Sequence, residues 1–167
     1  MIYSYIMTAI LVLLSLIVQG HSSFDAIRIG GVKPDLLFVF VIYMGYSFGS
    51  LYGQITGFIS GIFHDSISNS PLGLLAFPKL VLGFIAGMIG RSVLKNNVIS
   101  ILLLLFLASI IKGVFTLFLS YTFHQSMLSA IITIILPESF YNAILAPPLF
   151  FLYDKIYQKE LEREGYL

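Results

Sequence analysis

The chain has 167 residues, of which 58% are hydrophobic and 10% are charged, and its formal net charge is +1. Because an ordinary soluble domain has about 25% charged residues, this composition indicates an integral membrane protein. The sequence has no basic tract, RNA-binding motif or zinc-finger spacing, so no nucleic-acid partner is expected. The lack of cysteine excludes disulfides and thiolate metal sites.

The apolar blocks predict an all-α bundle of six transmembrane helices that forms a single domain over residues 1–167. The second and third spans come from one apolar run, Pro34–Phe63, which would be about 45 Å long as a single helix. A hydrocarbon core is about 30 Å thick, so we predict a break and a tight turn near Ser47–Tyr52. The predicted spans are about 2–19, 34–48, 52–64, 72–90, 98–121 and 138–157.

Residues at the helix ends support these boundaries. The first span lacks a basic n-region and is followed by further apolar blocks, so an uncleaved helix is expected rather than a signal peptide. Pro34 suits the first turn of a helix, and Asp35 beside it would interact favourably with the helix N-terminal dipole. The last helix is predicted to begin at Pro137–Glu138, and the charged tail Asp154–Leu167 is interpreted as its solvated end.

Glycines recur at intervals of four residues through the second and third spans. They are Gly45, Gly49, Gly53, Gly57 and Gly61, and the fourth span adds Gly83, Gly87 and Gly90. Glycine inside a helix costs about 1 kcal/mol relative to alanine, whereas in lipid such spacing lets two helix backbones approach closely. After the predicted break, Gly53, Gly57 and Gly61 share one face. That face is predicted to pack against a helix of this chain or of a partner protein.

Lysine and arginine in the loops predict the orientation of the bundle, since they are enriched on the cytoplasmic side. With both termini cytoplasmic, the inner side holds Arg91, Lys95, Lys155, Lys159 and Arg163. The outer side then holds Arg28 and Lys33, with Lys79 near an outer helix end. This bias favours two cytoplasmic termini.

In that orientation, two acids, two lysines and an amide fall in the outer half of the bundle. They are Asp65, Lys79, Lys112, Glu138 and Asn142. Because charges in lipid need partners, we expect Lys112 to pair with Asp65 or Glu138 around an outward-facing polar pocket, which is a candidate ligand site. The alternative is that Asp65 and Lys79 lie in the headgroup zone, with the ammonium of Lys112 extended outward to water.

No catalytic or metal site is predicted. Ser60 lies before Gly61 as in the Gly-x-Ser-Gly motif of intramembrane proteases, but position 58 is Phe and no histidine lies well inside a later span. The histidines, His21, His64 and His124, fall in separate loops without metal-ligand spacing. Phosphate-loop and dinucleotide motifs are absent as well. The chain is therefore expected to be non-enzymatic and to carry no cofactor.

Several short motifs resemble the bacterial rod shape-determining protein MreD family. The loop after the third span carries the most specific motif, Ser68, Pro71, Leu72 and Gly73, directly after Asp65. Three further segments match: Lys33-Pro-Asp-Leu-Leu, the glycine helix Gly53–Asp65, and Leu136-Pro-Glu-Ser-Phe-Tyr-Asn142 followed by Pro147-Pro148. His64 departs from the family pattern, which has an apolar residue there.

The resemblance implies a component of the rod, or elongation, complex in the cytoplasmic (inner) membrane of a bacterium. It implies binding to MreC, a single-pass protein with a periplasmic coiled coil. Further partners would be the glycosyltransferase RodA, a class B penicillin-binding protein and, indirectly, the filament protein MreB. It also implies a fold similar to the six-helix substrate-binding (S) components of energy-coupling-factor transporters.

Two classes of function therefore stay open. The first is a scaffold that binds MreC and supports lateral peptidoglycan synthesis and cell shape, with the face of Gly53, Gly57 and Gly61 as a candidate contact. The second is a membrane component that binds a small molecule or lipid in the outer polar pocket. A transporter component would need ATPases and a coupling protein as partners, because the chain has no nucleotide motif of its own.

Overall fold

Helices account for nearly all of the structure, a computed structural model that describes residues 2–21, 28, 31–94, 97–122, 131–163 and 165. The α-helices are α1 (Ile2–Gly20), α2 (Leu36–Phe48), α3 (Ser50–Ile67), α4 (Ala76–Val93), α5 (Val98–Thr122), α6 (Leu136–Ile156) and α7 (Gln158–Arg163). A π-helical turn, Ile131–Ile135, leads into α6. The all-α class is thus confirmed. Lys95 and His124 lie outside the described residues.

Helix α2 lies at the centre of the bundle. Every residue from Leu37 to Tyr43 has 0% exposure, and the helix packs against α1, α3, α4 and α6. A helix that is hydrophobic on all sides is typical of a fully surrounded position. At 13 residues it is about 20 Å long, so the two ends of α2 determine where polar groups enter the bundle.

The apolar run from Pro34 to Phe63 is divided at Gly49, inside the range predicted for the break. Gly49 has φ 96° and ψ 173°, a backbone conformation that is open essentially to glycine alone. The chain reverses there, and α3 returns alongside α2. A side chain at position 49 would strain this turn, which explains why one glycine of the series lies between two helices.

The remaining glycines of α3 pack this helix against α4. Together with Gly45 they form what we call the glycine ladder. A Cβ atom added to Gly53 would overlap the backbone of Gly83, and one added to Gly57 would overlap the backbone of Lys79. The same holds for Gly61 against Ala76. This face is therefore filled by the chain's own fourth helix, and the interpretation of the ladder as the MreC contact is corrected. Close packing within the chain leaves no space there for a partner.

Two helices, Val98–Thr122 and Thr133–Ile156, are long and apolar enough to cross a membrane, by length and composition. Ser4–Gly20 and Leu36–Phe48 are shorter apolar helices. Helix α6 continues through Pro147 and Pro148. The tail beyond it is less solvated than predicted, because Tyr157 and Leu161 have 0% exposure.

The glycine packing predicts a position-specific effect of an added methyl group. Gly57→Ala should lower the free energy of unfolding by about 1–3 kcal/mol, since α3 and α4 must move apart. The matched control is Gly20→Ala, because a Cβ atom at Gly20 meets nothing within 4 Å; it should change stability by less than about 0.5 kcal/mol. Thermal unfolding in detergent measures both, and equal midpoints for the two variants would contradict the packing described here.

Candidate functional site

The carboxylate of Asp35 is the centre of a buried polar site. Asp35 is the N-cap residue of α2, and its Oδ1 accepts a hydrogen bond from the backbone N–H of Phe38 at 2.9 Å. A carboxylate at this position also interacts favourably with the helix dipole. The observed N-cap position confirms the role predicted for Asp35 at the helix end. Its own backbone N–H donates to Asn142 Oδ1 at 2.7 Å. One residue thus joins α2 to α6.

Two lysines converge on Asp35 Oδ2. Lys112 Nζ lies 2.9 Å from this oxygen and Lys79 Nζ lies 3.3 Å from it. Lys112 also forms an ion pair with Glu138, and Lys79 contacts His64 Nδ1. We call Asp35, Lys79, Lys112 and Glu138 the acid–lysine cluster. Its two formal negative and two formal positive charges cancel, as buried ions require.

The two lysines of the cluster are buried. Lys79 has 0% and Lys112 7% exposure, and the Lys112 ammonium also lies 4.9 Å from the centre of the Phe38 ring. Of the two lysines, neither extends its ammonium to water, so the alternative of an exposed Lys112 is corrected. Breaking one pair of such a cluster leaves an uncompensated charge, which is more costly than the pair is stabilising.

Asn142 extends the polar site toward α5. Its Nδ2 donates to Ser109 Oγ at 3.1 Å, while its Oδ1 accepts from the backbone of Asp35. Asn142 has 0% and Ser109 2% exposure. Buried amides of this kind are hydrogen-bonded through both atoms. Asn142 therefore fixes the relative position of α2, α5 and α6 next to the cluster.

A cavity of about 460 Å³ adjoins the cluster. Asp35, Lys112 and Glu138 form its charged wall. His64 and Ser68 line the side formed by α3, and Gln19, Lys33, Thr116 and Ser120 are among the other polar lining residues. Among the described residues, no group of three or more histidine, cysteine or acidic side chains could hold a metal ion. The cavity offers hydrogen-bonding and charged groups for a polar ligand.

Asp65 does not join this cluster. Its Oδ2 accepts from the backbone N–H groups of Gly73 at 2.8 Å and Ala76 at 3.2 Å, and its Oδ1 accepts from Leu75 N–H at 2.9 Å. The carboxylate therefore caps the N-terminus of α4, where free N–H groups and the helix dipole favour an anion. Of the two partners predicted for Lys112, Glu138 pairs with it. Asp65 instead binds backbone N–H groups between α3 and the start of α4.

The loop motif after α3 shapes this cap. Gly73 has φ 99° and supplies one of the three N–H donors, and the backbone N–H of Leu74 donates to the carbonyl of Pro71 at 3.1 Å. Ser68 is the C-cap residue of α3. Leu72 is 67% exposed. Because these residues form the turn, α4 begins at Ala76 rather than at the predicted residue 72.

A second ionic group lies at the opposite end of α2, and we call it the arginine cluster: Arg91, Asp154, Ser47, Tyr43 and Tyr46. Arg91 forms an ion pair with Asp154 and donates from Nη2 to Ser47 Oγ at 3.1 Å. Tyr43 donates to Asp154 Oδ1 at 3.1 Å, and Arg91 lies over the Tyr46 ring. The interpretation of Asp154 as a solvated tail residue is therefore wrong, because this acid neutralises an arginine whose side chain is 3% exposed.

Sequence reasoning missed several members of these clusters. The position of Asp35 before an apolar helix was explained completely by its role at the helix end, so its charge was not assigned to the pocket. His64 stood out only as a departure from the family pattern. A usable signal existed for Asp35: a lone lysine inside an apolar helix, such as Lys112, requires an acid at the same depth, and Pro34-Asp35 begins a neighbouring span.

The described residues form helices almost throughout, and two of these helices are long and apolar enough to cross a membrane. The chain belongs to the rod shape-determining protein MreD family, whose model matches residues 1–160. It is therefore a rod shape-determining membrane component. Comparison with curated proteins and with solved structures gives no match.

Because Asp35 is shared by two buried lysines, we expect removal of its charge to destabilise the protein more than removal of the charge of an exposed acid. Asp35→Asn should destabilise the protein by about 3–5 kcal/mol, because Lys79 and Lys112 stay buried without their shared anion. Adding Lys79→Met should cost less than the sum of the two single changes, since the residues are coupled. Thermal unfolding of the four proteins of this cycle measures the coupling. Additive effects, or a loss equal to that of the exposed control Glu162→Gln, would contradict it.

The Asp65 cap predicts a local effect. Asp65→Asn removes one acceptor oxygen and the negative charge, so the N–H groups of Gly73, Leu75 and Ala76 lose protection. Hydrogen–deuterium exchange of that segment should accelerate about tenfold or more, equivalent to ~1.4 kcal/mol. Peptides from α5 provide the internal control and should exchange as in the wild type. An unchanged rate in the loop would rule out the capping role.

Proposed function

We propose that the protein is a non-enzymatic, six-span scaffold of the rod complex, which binds an MreC-type single-pass protein and supports lateral peptidoglycan synthesis. The observation that carries this proposal is the family match over residues 1–160. RodA-type and penicillin-binding partners, and MreB indirectly, would assemble through the MreC-type protein. The proposed location is the bacterial cytoplasmic membrane.

The distribution of charge supports two cytoplasmic termini. Arg91 at the end of α4, and Lys155, Lys159 and Arg163 near the C-terminus, place the basic residues at the end of the bundle that holds the arginine cluster. The acid–lysine cluster occupies the other end, about 18 Å away along α2 at about 1.5 Å per residue. A basic inner end and a neutral outer site agree with the positive-inside rule.

The partner's transmembrane helix requires an exposed face, because the glycine ladder is filled by α4. We define the α5 seam as Leu107, Ile111, Val114, Phe118 and Tyr121. These side chains are 42–77% exposed and alternate at four and three residues, the spacing of a seam between two packed helices. The seam lies toward the proposed outer end of α5, where the periplasmic coiled coil of an MreC-type partner would continue.

Co-purification tests the scaffold. Tagged protein extracted from its own cells in mild detergent should retain an MreC-type protein together with RodA-type and penicillin-binding partners, identified by mass spectrometry. Val114→Trp should lower the affinity for the MreC-type protein about tenfold, the equivalent of ~1.4 kcal/mol, because a bulkier side chain separates the helices. Ile10→Trp, on the exposed face of α1 (48% exposed), is the matched control and should retain it fully.

Two outcomes would count against this proposal. Equal retention by both tryptophan variants would remove the α5 seam as the contact. Recovery of two ATPases and a multi-span coupling protein, without an MreC-type protein, would make the chain a transporter component instead.

That second function, a ligand-binding component similar to the S components of energy-coupling-factor transporters, is favoured by one observation. The cavity of about 460 Å³ beside Asp35, Lys112 and Glu138 has charged walls at the proposed outer face. The partner set distinguishes the two functions, because only the transporter component requires ATPases.

A further inference from the structure

His64 lies where the glycine face of α3 ends. It follows Gly57 and Gly61 at helical spacing, so its side chain belongs to the face that packs against α4. There its Nδ1 contacts Nζ of Lys79. Lys79 is 0% exposed, whereas His64 is half-buried and lines the cavity beside the acid–lysine cluster. The imidazole is therefore the member of this pair that solvent can reach.

The contact between His64 and Lys79 requires a neutral imidazole. Lys79 Nζ also lies 3.3 Å from Asp35 Oδ2, and an ammonium group beside a carboxylate carries only donors. His64 Nδ1 must therefore accept, which leaves the ring hydrogen on Nε2. A further proton on Nδ1 would bring two N–H donors and two positive charges face to face. Such an arrangement has lost its hydrogen bond and is repulsive.

The surroundings of His64 offer no compensation for an added charge in this position. The backbone of Lys79 lies directly against Gly57, so the lysine cannot withdraw without moving α4 away from α3. Asp35 already pairs with two ammonium groups. The carboxylate of Asp65, the next residue along α3, already accepts from three backbone N–H groups. A protonated imidazole must therefore leave Lys79.

The charged groups around the imidazole come from every element packed against it. They are Asp65 of α3, Asp35 before α2, Lys79 of α4 and Lys112 of α5, together with Lys33 and Glu138 on the cavity wall. Three of these groups are formally negative and three are formally positive, so the set is neutral only while His64 is neutral. One proton on His64 gives the set an unbalanced positive charge.

We propose that His64 is a pH-sensitive contact that holds the end of α3 on α4. The neutral imidazole accepts from Lys79. A proton from solvent breaks this hydrogen bond, and the imidazolium turns into the cavity toward Glu138, the more exposed of the two acids on its wall (18% of the side chain, against 9% for Asp35). The end of α3 then separates from α4, and Asp65 releases the N–H groups of the loop. With the orientation proposed above, the proton comes from the outer side of the membrane.

The direction of the pH dependence follows from proton linkage. Histidine in an open, solvated segment takes up a proton below about pH 6.5, whereas the closed contact accommodates only the neutral ring. Opening therefore binds a proton, so the closed state is fully stable above that pH and loses stability as the pH falls. For one proton, the equilibrium constant for opening should rise about tenfold between about pH 7.5 and about pH 5.5.

Hydrogen–deuterium exchange of the purified full-length chain in nanodiscs tests this contact. Exchange in the segment 65–76 of the wild type, divided by that of His64→Gln at the same pH, should rise about tenfold over this pH range. The glutamine oxygen still accepts from Lys79 but takes up no proton. Comparison at equal pH also cancels the intrinsic pH dependence of exchange. His21→Gln is the matched control, because His21 is an exposed histidine after α1, and it should respond like the wild type.

Two further measurements examine the ring itself. His64→Lys carries a permanent charge, so at the upper pH it should already show the fast exchange that the wild type shows at the lower pH. Nitrogen-15 NMR of the histidine side chains at the upper pH should find His64 with its hydrogen on Nε2 and none on Nδ1.

The proposal is overturned by an equal pH response in the wild type and His64→Gln, by loss of the response in His21→Gln, or by a hydrogen on Nδ1 of His64 at the upper pH. Slow exchange in folded His64→Lys at that pH would also overturn it. Because these experiments use the chain alone, a failure of the rod-complex assignment would leave their results unchanged.

Discussion

The interaction on which the bundle depends is the pairing of one carboxylate, Asp35, with two ammonium groups. Lys79 and Lys112 come from α4 and α5, and both lie within 3.3 Å of the same oxygen. Burial of these lysines at 0% and 7% exposure requires carboxylate partners, which are Asp35 for both and also Glu138 for Lys112. Since the same carboxylate caps α2, the direction of the central helix and the positions of two others are determined at one point.

A central helix without exposed residues imposes a second constraint, which is close approach. Apolar side chains alone do not drive helix association in lipid, because the acyl chains are equally apolar. Contact must come from backbones that fit together. Gly53 against Gly83 and Gly57 against Lys79 provide that fit between α3 and α4, and Gly45 brings α2 against the same backbone. The glycine ladder thus joins α2, α3 and α4 by backbone contact, and the acid–lysine cluster ties α2 and α4 to α5 and α6 by ion pairs.

The sequence predicts the features that depend on neighbouring residues better than those that depend on distant partners. The break at Gly49 followed from comparing helix length with bilayer thickness, and the role of Asp35 as a cap followed from its position before an apolar helix. The sequence did not predict which helix packs against the glycine ladder. The spacing of glycines shows that one helix face carries only small residues, but it does not identify the segment that covers this face. The pairing of Arg91 with Asp154 was missed for a related reason. A charge near a predicted helix end has an adequate local explanation in the headgroup zone, so nothing required a distant partner.

The state of the acid–lysine cluster also bears on which function the fold serves. Each of its charges already has a partner within the chain, so a charged ligand entering the adjacent cavity would have to replace an existing ion pair and gain only the difference. A partner at the α5 seam would not have to replace an ion pair, because the side chains of the seam are exposed and apolar. A partner helix that packs there gives up contacts with lipid alone. This energetic comparison supports the proposed scaffold over the proposed ligand-binding component.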